Sequence, residues 1–489
     1  MSANAQALAG PQAIPDPPPE RGLPDGFRIR LNDRVKVWAD GSVLIGGAPW
    51  RISRLATTVQ DLVGRLAANG ERGVVLSTVR ERAAGRVLLD RGFADPVPGD
   101  QEANFDVDVV IPAMDHANNV ARLLASLARL NAVVVDDASI DFGSLQSVAD
   151  HAGIMVVRHE QNLGPAAARN TGLRHTVSPV VAFIDSDCIA SPEWPASLLH
   201  HFLDPSVAAV APRVMPTGVG GTFLERYERT RSSLDMGDRP DLVRAGSRLG
   251  FVPSAALLAR RSALGENAFD ERLRLGEDVD LIWRLTEAGW LVRYDPAIVV
   301  QHQTRARPGD WLRRRYQYGT SAPDLEARHP GRLAPARPSA WNVAVIVLVA
   351  TGHPVLGVAV ISAAGALLWR QLRPLPQSPA LATRTVGQGL LADAAAIGQM
   401  LRREWWPVGV VALAVSPRSK PARLAAACML VPIALEWVKG PPPLDPIRYA
   451  FLRLVDDAAY GTGVIASSLA KRELRPLIPR PRVPGLRRY

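Results

Sequence analysis

Apolar and polar residues alternate in Phe27-Arg28-Ile29-Arg30-Leu31, a spacing that predicts a strand with one buried face. Apolar runs at 35–38 and 42–45 flank a turn at Asp40-Gly41, so short antiparallel strands are expected there. The period then changes. Val59, Leu62, Val63 and Leu66 recur at helical spacing over residues 57–68, and 77–89 predicts a second helix leading to a short wing at Gly92-Phe93. Strands and helices in this order suggest a small winged-helix-like module over 26–97, either a packing domain or a binding module.

From 105 to 216 the pattern is different. Short, branched, apolar runs at 107–111, 132–135, 154–157, 180–184 and 207–211 alternate with amphipathic segments. Between the first two, Val120, Leu123, Leu124 and Leu127 line one helix face. Such repetition predicts an α/β domain with a parallel sheet covered on both faces. Ahead of it, residues 1–25 hold a proline cluster and little apolar material, which predicts a disordered tail. Residues 96–101 read as a linker.

Beyond residue 330 the apolar runs lengthen. Trp341 to Trp369 contains no Asp, Glu, Lys or Arg. A straight helix of that length spans ~44 Å, more than a ~30 Å hydrocarbon core. Gly352 and Pro354 interrupt it, so a kinked span or two half-spans are expected. Shorter runs at 408–415 and 424–435 fit interfacial or tilted helices. A helical, membrane-associated region over 338–470 is the expectation, with a soluble helical cap as the alternative. Residues 471–489 carry seven basic side chains and one acidic one, which suits an anionic membrane surface.

Composition narrows the partners. The net charge of +10 fits nucleic acid, anionic lipid or a phosphorylated substrate. Neither a basic helix nor an aromatic stacking motif is present, so no nucleic-acid partner is expected. Cys188 and Cys428 are the only cysteines; they provide no disulfide framework and no zinc site. The polar, proline-rich N-terminus leads us to expect no secretory signal. The catalytic part is expected on the cytoplasmic side of the cell membrane.

The chemistry sits where predicted strands end, which is where open α/β sheets bind ligands. Val109-Val110-Ile111-Pro112 runs into a polar loop, Val133–Val135 runs into Asp136-Asp137, and Ala182-Phe183-Ile184 runs into Asp185-Ser186-Asp187. Residues two apart on an extended chain project alike, so Asp185 and Asp187 can share one hard divalent ion, Mg²⁺ or Mn²⁺. Such an ion neutralises a diphosphate leaving group; a plain turn is the bland alternative. In Asn162-Leu163-Gly164-Pro165, the glycine and proline turn the chain into an alanine-rich helix. Arg169, one turn on, reaches a phosphate or orders the acidic loop. Glu277-Asp278 opens a further predicted helix, where acidic residues favour the dipole.

Taken in order, Val109–Pro112, Val135-Asp136-Asp137-Ala138-Ser139, Asn162-Leu163-Gly164 with Ala168-Arg169-Asn170, Asp185-Ser186-Asp187 and Gly276-Glu277-Asp278 resemble the family 2 glycosyltransferases. That resemblance implies a GT-A nucleotide-sugar-binding domain over 103–330. It implies that Asp137 meets uracil or ribose with Asp136 behind it, while Pro112 and its neighbours line the base pocket. Asn162, Gly164, Arg169 and Asp185 would complete the nucleotide-sugar site. Asp187 would be the firmer metal ligand, joined by Asp185 and by His302. Asp278 would be the catalytic base, with Glu277 as its acidic partner. Two departures stand out: Met114-Asp115-His116 replaces an aromatic-Asn pair, and the Gln-x-x-Arg-Trp motif is absent, leaving Arg314 or Arg315 as possible diphosphate contacts.

The small N-terminal unit, Ala209–Val214, 276–284 and Tyr318-Gly319-Thr320-Ser321-Ala322 are similar to the mycofactocin-system glycosyltransferases of actinobacteria. This implies a UDP-sugar donor, UDP-glucose in that family, and a peptide-derived redox cofactor as acceptor. It also implies inversion to a β-linkage and a peptide-recognition-like N-terminal module. Three alternatives stay open: a membrane glycosyltransferase of a cell-wall polysaccharide or lipid, a nucleotidyltransferase, and a non-catalytic sugar-nucleotide-binding protein.

Overall fold

The computed structural model describes residues 10–482 except 40, 100–101, 128–129, 218–220, 304–306 and 441. Parts of the expected tails (1–9 and 483–489) and of the linker (100–101) therefore lie outside the described residues. The chain forms two compact units, Met1–Gly218 with Arg231–Thr304, and Val219–Thr230 with Arg305–Tyr489.

In the first unit, strands β1 (Phe27–Leu31), β2 (Lys36–Trp38), β3 (Val43–Gly46), β4 (Arg51–Arg54), β5 (Val74–Leu76) and β6 (Ala94–Pro96) make two small sheets. Their orders are β5-β1-β6 and β2-β3-β4. Helices Thr57–Asn69 and Val79–Asp90 cover them. Alternation along β1 places Phe27 and Ile29 in the core, with Leu44, Leu62, Leu66 and Leu88. The second helix is held by a capping box in which Thr78 and Glu81 satisfy each other's backbone N–H groups. β4 carries a single apolar residue and β5 is only three residues long, so periodicity does not reveal them.

Strands β7 (Val107–Ala113), β8 (Asn131–Asp136), β9 (Met155–Arg158), β10 (Val180–Ile184), β11 (Cys188–Ile189), β12 (Val207–Pro216), β13 (Asp241–Val243), β14 (Ala256–Arg260) and β15 (Leu291–His302) build the large sheet. Its order is β11-β15-β12-β14-β10-β7-β8-β9, with β13 on β15. Each of the five predicted strands is present. Both faces are covered: Val109, Ile111, Ala182 and Ile184 enter one core, while Val110, Val181 and Phe183 enter the other. The parallel sheet predicted from sequence is corrected to a mixed one, because β14 lies antiparallel between β10 and β12. A strand buried on both faces reads as the same apolar run in either direction, so sequence does not reveal the reversal. Part of the Pro-rich N-terminal segment is held rather than free. The Trp290 indole donates to Pro15 O at 2.7 Å, and Gln12 N donates to Asn267 O at 3.0 Å.

The second unit is helical. Leu224, Tyr227, Trp311, Ile433, Tyr449 and Leu452 share one of its cores. Helices Pro308–Thr320 and Pro446–Lys471 meet through Gly319 and Gly463. A Cβ on Gly319 would come within 2.1 Å of Tyr460 O, and one on Gly463 within 2.0 Å of Tyr316 O. Arg315 is buried against Glu228 and Asp456. The apolar stretch of 341–369 divides at Gly352 into helices Ala340–Ala350 and Pro354–Leu372, with Gly357 packed on Val345 and Val349. Pro354–Leu372 and Lys420–Lys439 are long and apolar enough to cross a membrane by length and composition.

Candidate active site

The parallel strands β7, β8 and β10 end side by side, and their polar successors meet there. Partly buried Pro112 is paired with Val135 on the β7–β8 ladder, just before the turn that carries Asp136 and Asp137. That turn takes Ala138 to a φ of 63°, a left-handed conformation that costs a side-chain-bearing residue energy. It is stitched to the β7 loop: Asp115 N donates to Ser139 Oγ at 2.7 Å, and Ile140 N donates to Asp115 Oδ1 at 2.8 Å. Fully buried Asp136 accepts from the Ser139 N–H and hydroxyl, so it serves the turn.

Asp137 holds the next wall. Its Oδ1 accepts from Leu163 N and its Oδ2 from Gly164 N, both at 2.8 Å. His159 Nδ1 lies 2.9 Å from Oδ1. A carboxylate only accepts, so Nδ1 carries the proton and Nε2 faces the Thr171 hydroxyl at 3.0 Å. Burial opposes the charge on Asp137, but the His159 bond and the two backbone donors hold its pKa below the usual value. Gly164 adopts a φ of 96° to enter helix Pro165–Arg174. A Cβ there would meet Arg274 Nη1 at 2.8 Å. Arg274 Nη1 itself donates to Asn162 Oδ1 at 2.9 Å.

Arg169 is the hub of the acidic side. Its Nη2 donates to Asp185 Oδ1 at 2.6 Å and its Nη1 to Glu277 Oε1 at 2.8 Å. Burial works against its charge, yet Asp185 and Glu277 raise its pKa and keep it protonated. Glu277 and Asp278 open helix Glu277–Glu287. Burial, and then the Asp278 charge, raise the Glu277 pKa to about 7 against the pull of Arg169. Burial also raises that of Asp278, whose Oδ1 accepts from Val279 N at 2.8 Å.

Asp185 and Asp187 follow β10, and His302 ends β15. β11 brings them together by pairing Cys188 with His302, and Gln303 N donates to Asp187 O at 3.0 Å. His302 Nε2 lies 3.2 Å from Asp187 Oδ1. One ligand atom from each of Asp185, Asp187 and His302 falls within 4.8 Å of the others. Two carboxylates and an imidazole, all part-exposed, suit a divalent ion that keeps open positions.

The residues singled out from sequence thus gather at one sheet edge, with Arg169 turned onto carboxylates. His159 and Arg274 were missed. His159 follows β9, so the strand-end rule that found the aspartates also reaches it; Arg274 carries no comparable signal.

A family model described as glycosyl transferase family 2 matches residues 108–265. The chain is 38% identical over 474 residues to a pre-mycofactocin glycosyltransferase of Mycobacterium tuberculosis strain H37Rv, covering 94% of this chain and 98% of that protein. It is 33% identical over 202 residues to the succinoglycan biosynthesis protein ExoU of Rhizobium meliloti, covering 38% and 58%. Among solved structures, a mannosyltransferase from Pyrobaculum calidifontis in complex with GDP-Man and Mn²⁺ aligns with a TM-score of 0.40 at 16% identity, covering 76% of this chain and 88% of that one.

Proposed function

The chain belongs to the family 2 glycosyltransferases, and from that premise we propose that it is an inverting hexosyltransferase of mycofactocin biosynthesis. The donor is read as UDP-glucose and the acceptor as a hydroxyl on a peptide-derived redox cofactor. The 38% identity to a pre-mycofactocin glycosyltransferase along nearly the whole chain supports that acceptor class. The observation that carries the chemistry is the joining of Asp185 and Glu277 through Arg169, which sets the Asp185–Asp187–His302 trio beside the Glu277–Asp278 pair.

In this reading Asp137 receives the nucleoside against the wall formed by Pro112, Leu163 and Gly164. Asp187, Asp185 and His302 would hold Mg²⁺ or Mn²⁺, which supplies charge neutralisation at the diphosphate. Asp278 accepts the proton of the acceptor hydroxyl as that oxygen bonds to the anomeric carbon. The bond from that carbon to the diphosphate breaks, and its electron pair leaves with the UDP oxygen. Attack from the opposite face inverts the centre, so an α-linked donor gives a β-glycoside. A raised Asp278 pKa suits a base working near neutral pH. Arg169 and Glu277 act as positioning residues that fix Asp185 and the start of the Asp278 helix.

The N-terminal module is read as a peptide-recognition module that presents the acceptor. The C-terminal helices are read as holding the enzyme to the cytoplasmic face of the cell membrane, supported by the two apolar helices of sufficient length. Those helices also favour a second reading, transfer to a cell-wall polysaccharide or lipid. Incubating the full-length protein with UDP- and GDP-sugars and the peptide-derived acceptor, then weighing the products, tests both. Hexose additions to the acceptor with release of UDP are expected. Release of pyrophosphate, or no mass gain with any acceptor, would sink the proposal.

A further inference from the structure

On the same unit, the 3-10 helix Ala196–Leu203 carries adjacent histidines that no part of the transfer reaction uses. His200 and His201 are both buried, 9% and 2% exposed, with ring centroids 4.1 Å apart. His201 Nε2 lies 2.9 Å from Oδ2 of Asp295. Asp295 sits in β15 where the ladder with β12 slips register, between its pair with Pro212 and the next pair, Arg213 with Val299. One ring nitrogen from each histidine and one Asp295 oxygen fall within 4.8 Å of one another.

The hydrogen-bond pattern points to a missing ligand. His200 Nδ1 faces Ser197 O at 3.1 Å. A carbonyl only accepts, so Nδ1 carries the proton and Nε2 is left with its lone pair. That Nε2 is buried with no hydrogen-bond partner, while His201 presents its Nε2 to the same place. Leaving a buried polar nitrogen unmet costs ~1–3 kcal/mol, and native folds rarely tolerate it without a reason. A histidine whose far nitrogen is pinned by a backbone carbonyl is also the usual arrangement of a metal ligand. Asp295 Oδ1 is likewise fixed, accepting from Ala297 N at 3.0 Å.

We propose that His200, His201 and Asp295 form a second divalent-metal site, separate from Asp185, Asp187 and His302, and that it takes Zn²⁺. Two imidazoles and one carboxylate match zinc better than magnesium, which prefers an all-oxygen shell. Zinc at ~2.1 Å from each ligand holds ligand atoms ~3.4 Å apart, so side-chain rotations close the trio. His201 and Asp295 also line a cavity of about 410 Å³, with Arg28, Arg72, Asp95 and Arg293, from which water can supply a fourth ligand. The metal would pin the 3-10 helix to β15 where the sheet meets the N-terminal module.

The test uses the full-length chain, stripped with chelator, dialysed against trace Zn²⁺ and assayed by elemental mass spectrometry. Asp187→Asn with His302→Gln removes two of the three transfer-site ligands and is expected to keep about one zinc per chain. Added to that background, His200→Gln and Asp295→Asn are each expected to lose that zinc. Absence of zinc from the Asp187→Asn, His302→Gln protein overturns the proposal, as does zinc that survives both His200→Gln and Asp295→Asn. Should those two variants fail to fold, anomalous scattering at the zinc edge from unaltered protein decides. A peak beside His200 supports the site, and no peak there overturns it.

Discussion

Arg169 Nη1 donates to Glu277 Oε1 at 2.8 Å across 108 residues of sequence, and both side chains are buried. The same guanidinium holds Asp185, so one cation ties the strand-end acids to the helix that starts with Glu277 and Asp278. Breaking such a buried pair from one side costs ~3–5 kcal/mol. Arg169→Gln is expected to lower the melting temperature by several degrees and to cut kcat at least tenfold, ~1.4 kcal/mol in the barrier. Arg169→Lys keeps the charge but cannot reach both acids with a planar fork. It should recover melting temperature more than kcat, and equal recovery of both would argue against a positioning role.

Asp187, in the turn after β10, lies 3.2 Å from His302 at the end of β15. In the proposed reading, chelator abolishes transfer and Mn²⁺ or Mg²⁺ restores it. Asp187→Asn should raise the Mn²⁺ concentration for half-maximal activity by tenfold or more, and His302→Ala by somewhat less. Full activity of wild-type protein in excess chelator would refute this assignment.

Asp278→Asn keeps the side-chain shape and can still accept from Val279 N, but it cannot take a proton. A loss of ~10²- to 10⁴-fold in kcat is expected, with UDP binding by calorimetry unchanged. A loss of UDP affinity in place of kcat would put Asp278 on the donor side.

The pH profile should carry the raised carboxyl pair. Glu277 has a pKa of about 7, above its ordinary value, so its charged form is present above that pH and lost below it. Log kcat/KM is expected to be flat above pH 7 and to fall below it, as the Glu277–Asp278 pair takes up protons. Stability carries the opposite sign. A carboxyl whose pKa is raised by folding favours the folded state at low pH, and that contribution is lost as pH rises through about 7. Chemical denaturation between pH 5 and 8 reads the second effect independently of activity.

His159 fixes Asp137 from behind. His159→Leu should raise the KM for the nucleotide sugar several-fold and leave that for the acceptor near wild type. An equal rise in both would place the effect in general destabilisation.

Much of this site could be read from sequence because it sits on apolar runs that end in acids. Val107–Ala113, Asn131–Asp136 and Val180–Ile184 announce themselves by branched residues, and at or just past their ends Pro112, Asp136 and Asp185 reach one edge. Three features were not visible. The antiparallel run of Ala256–Arg260 has the composition of a parallel core strand. The direction of the Arg169 side chain depends on Glu277, too distant in sequence for any local pattern to register. Arg274, set over the Gly164 turn, is one arginine among many and acquires meaning only from its 2.9 Å bond to Asn162.

A carboxylate offers about four acceptor positions, and Asp137 has already spent three of them on Leu163, Gly164 and His159. One position on Oδ2 remains. In the proposed reading, a nucleoside arriving there meets a monodentate acceptor, able to take one imide N–H or one ribose hydroxyl but not a diol. Discrimination between uridine and guanosine donors then does not rest on this acid alone, and exchanging the donor base calls for changes in the walls around it as well.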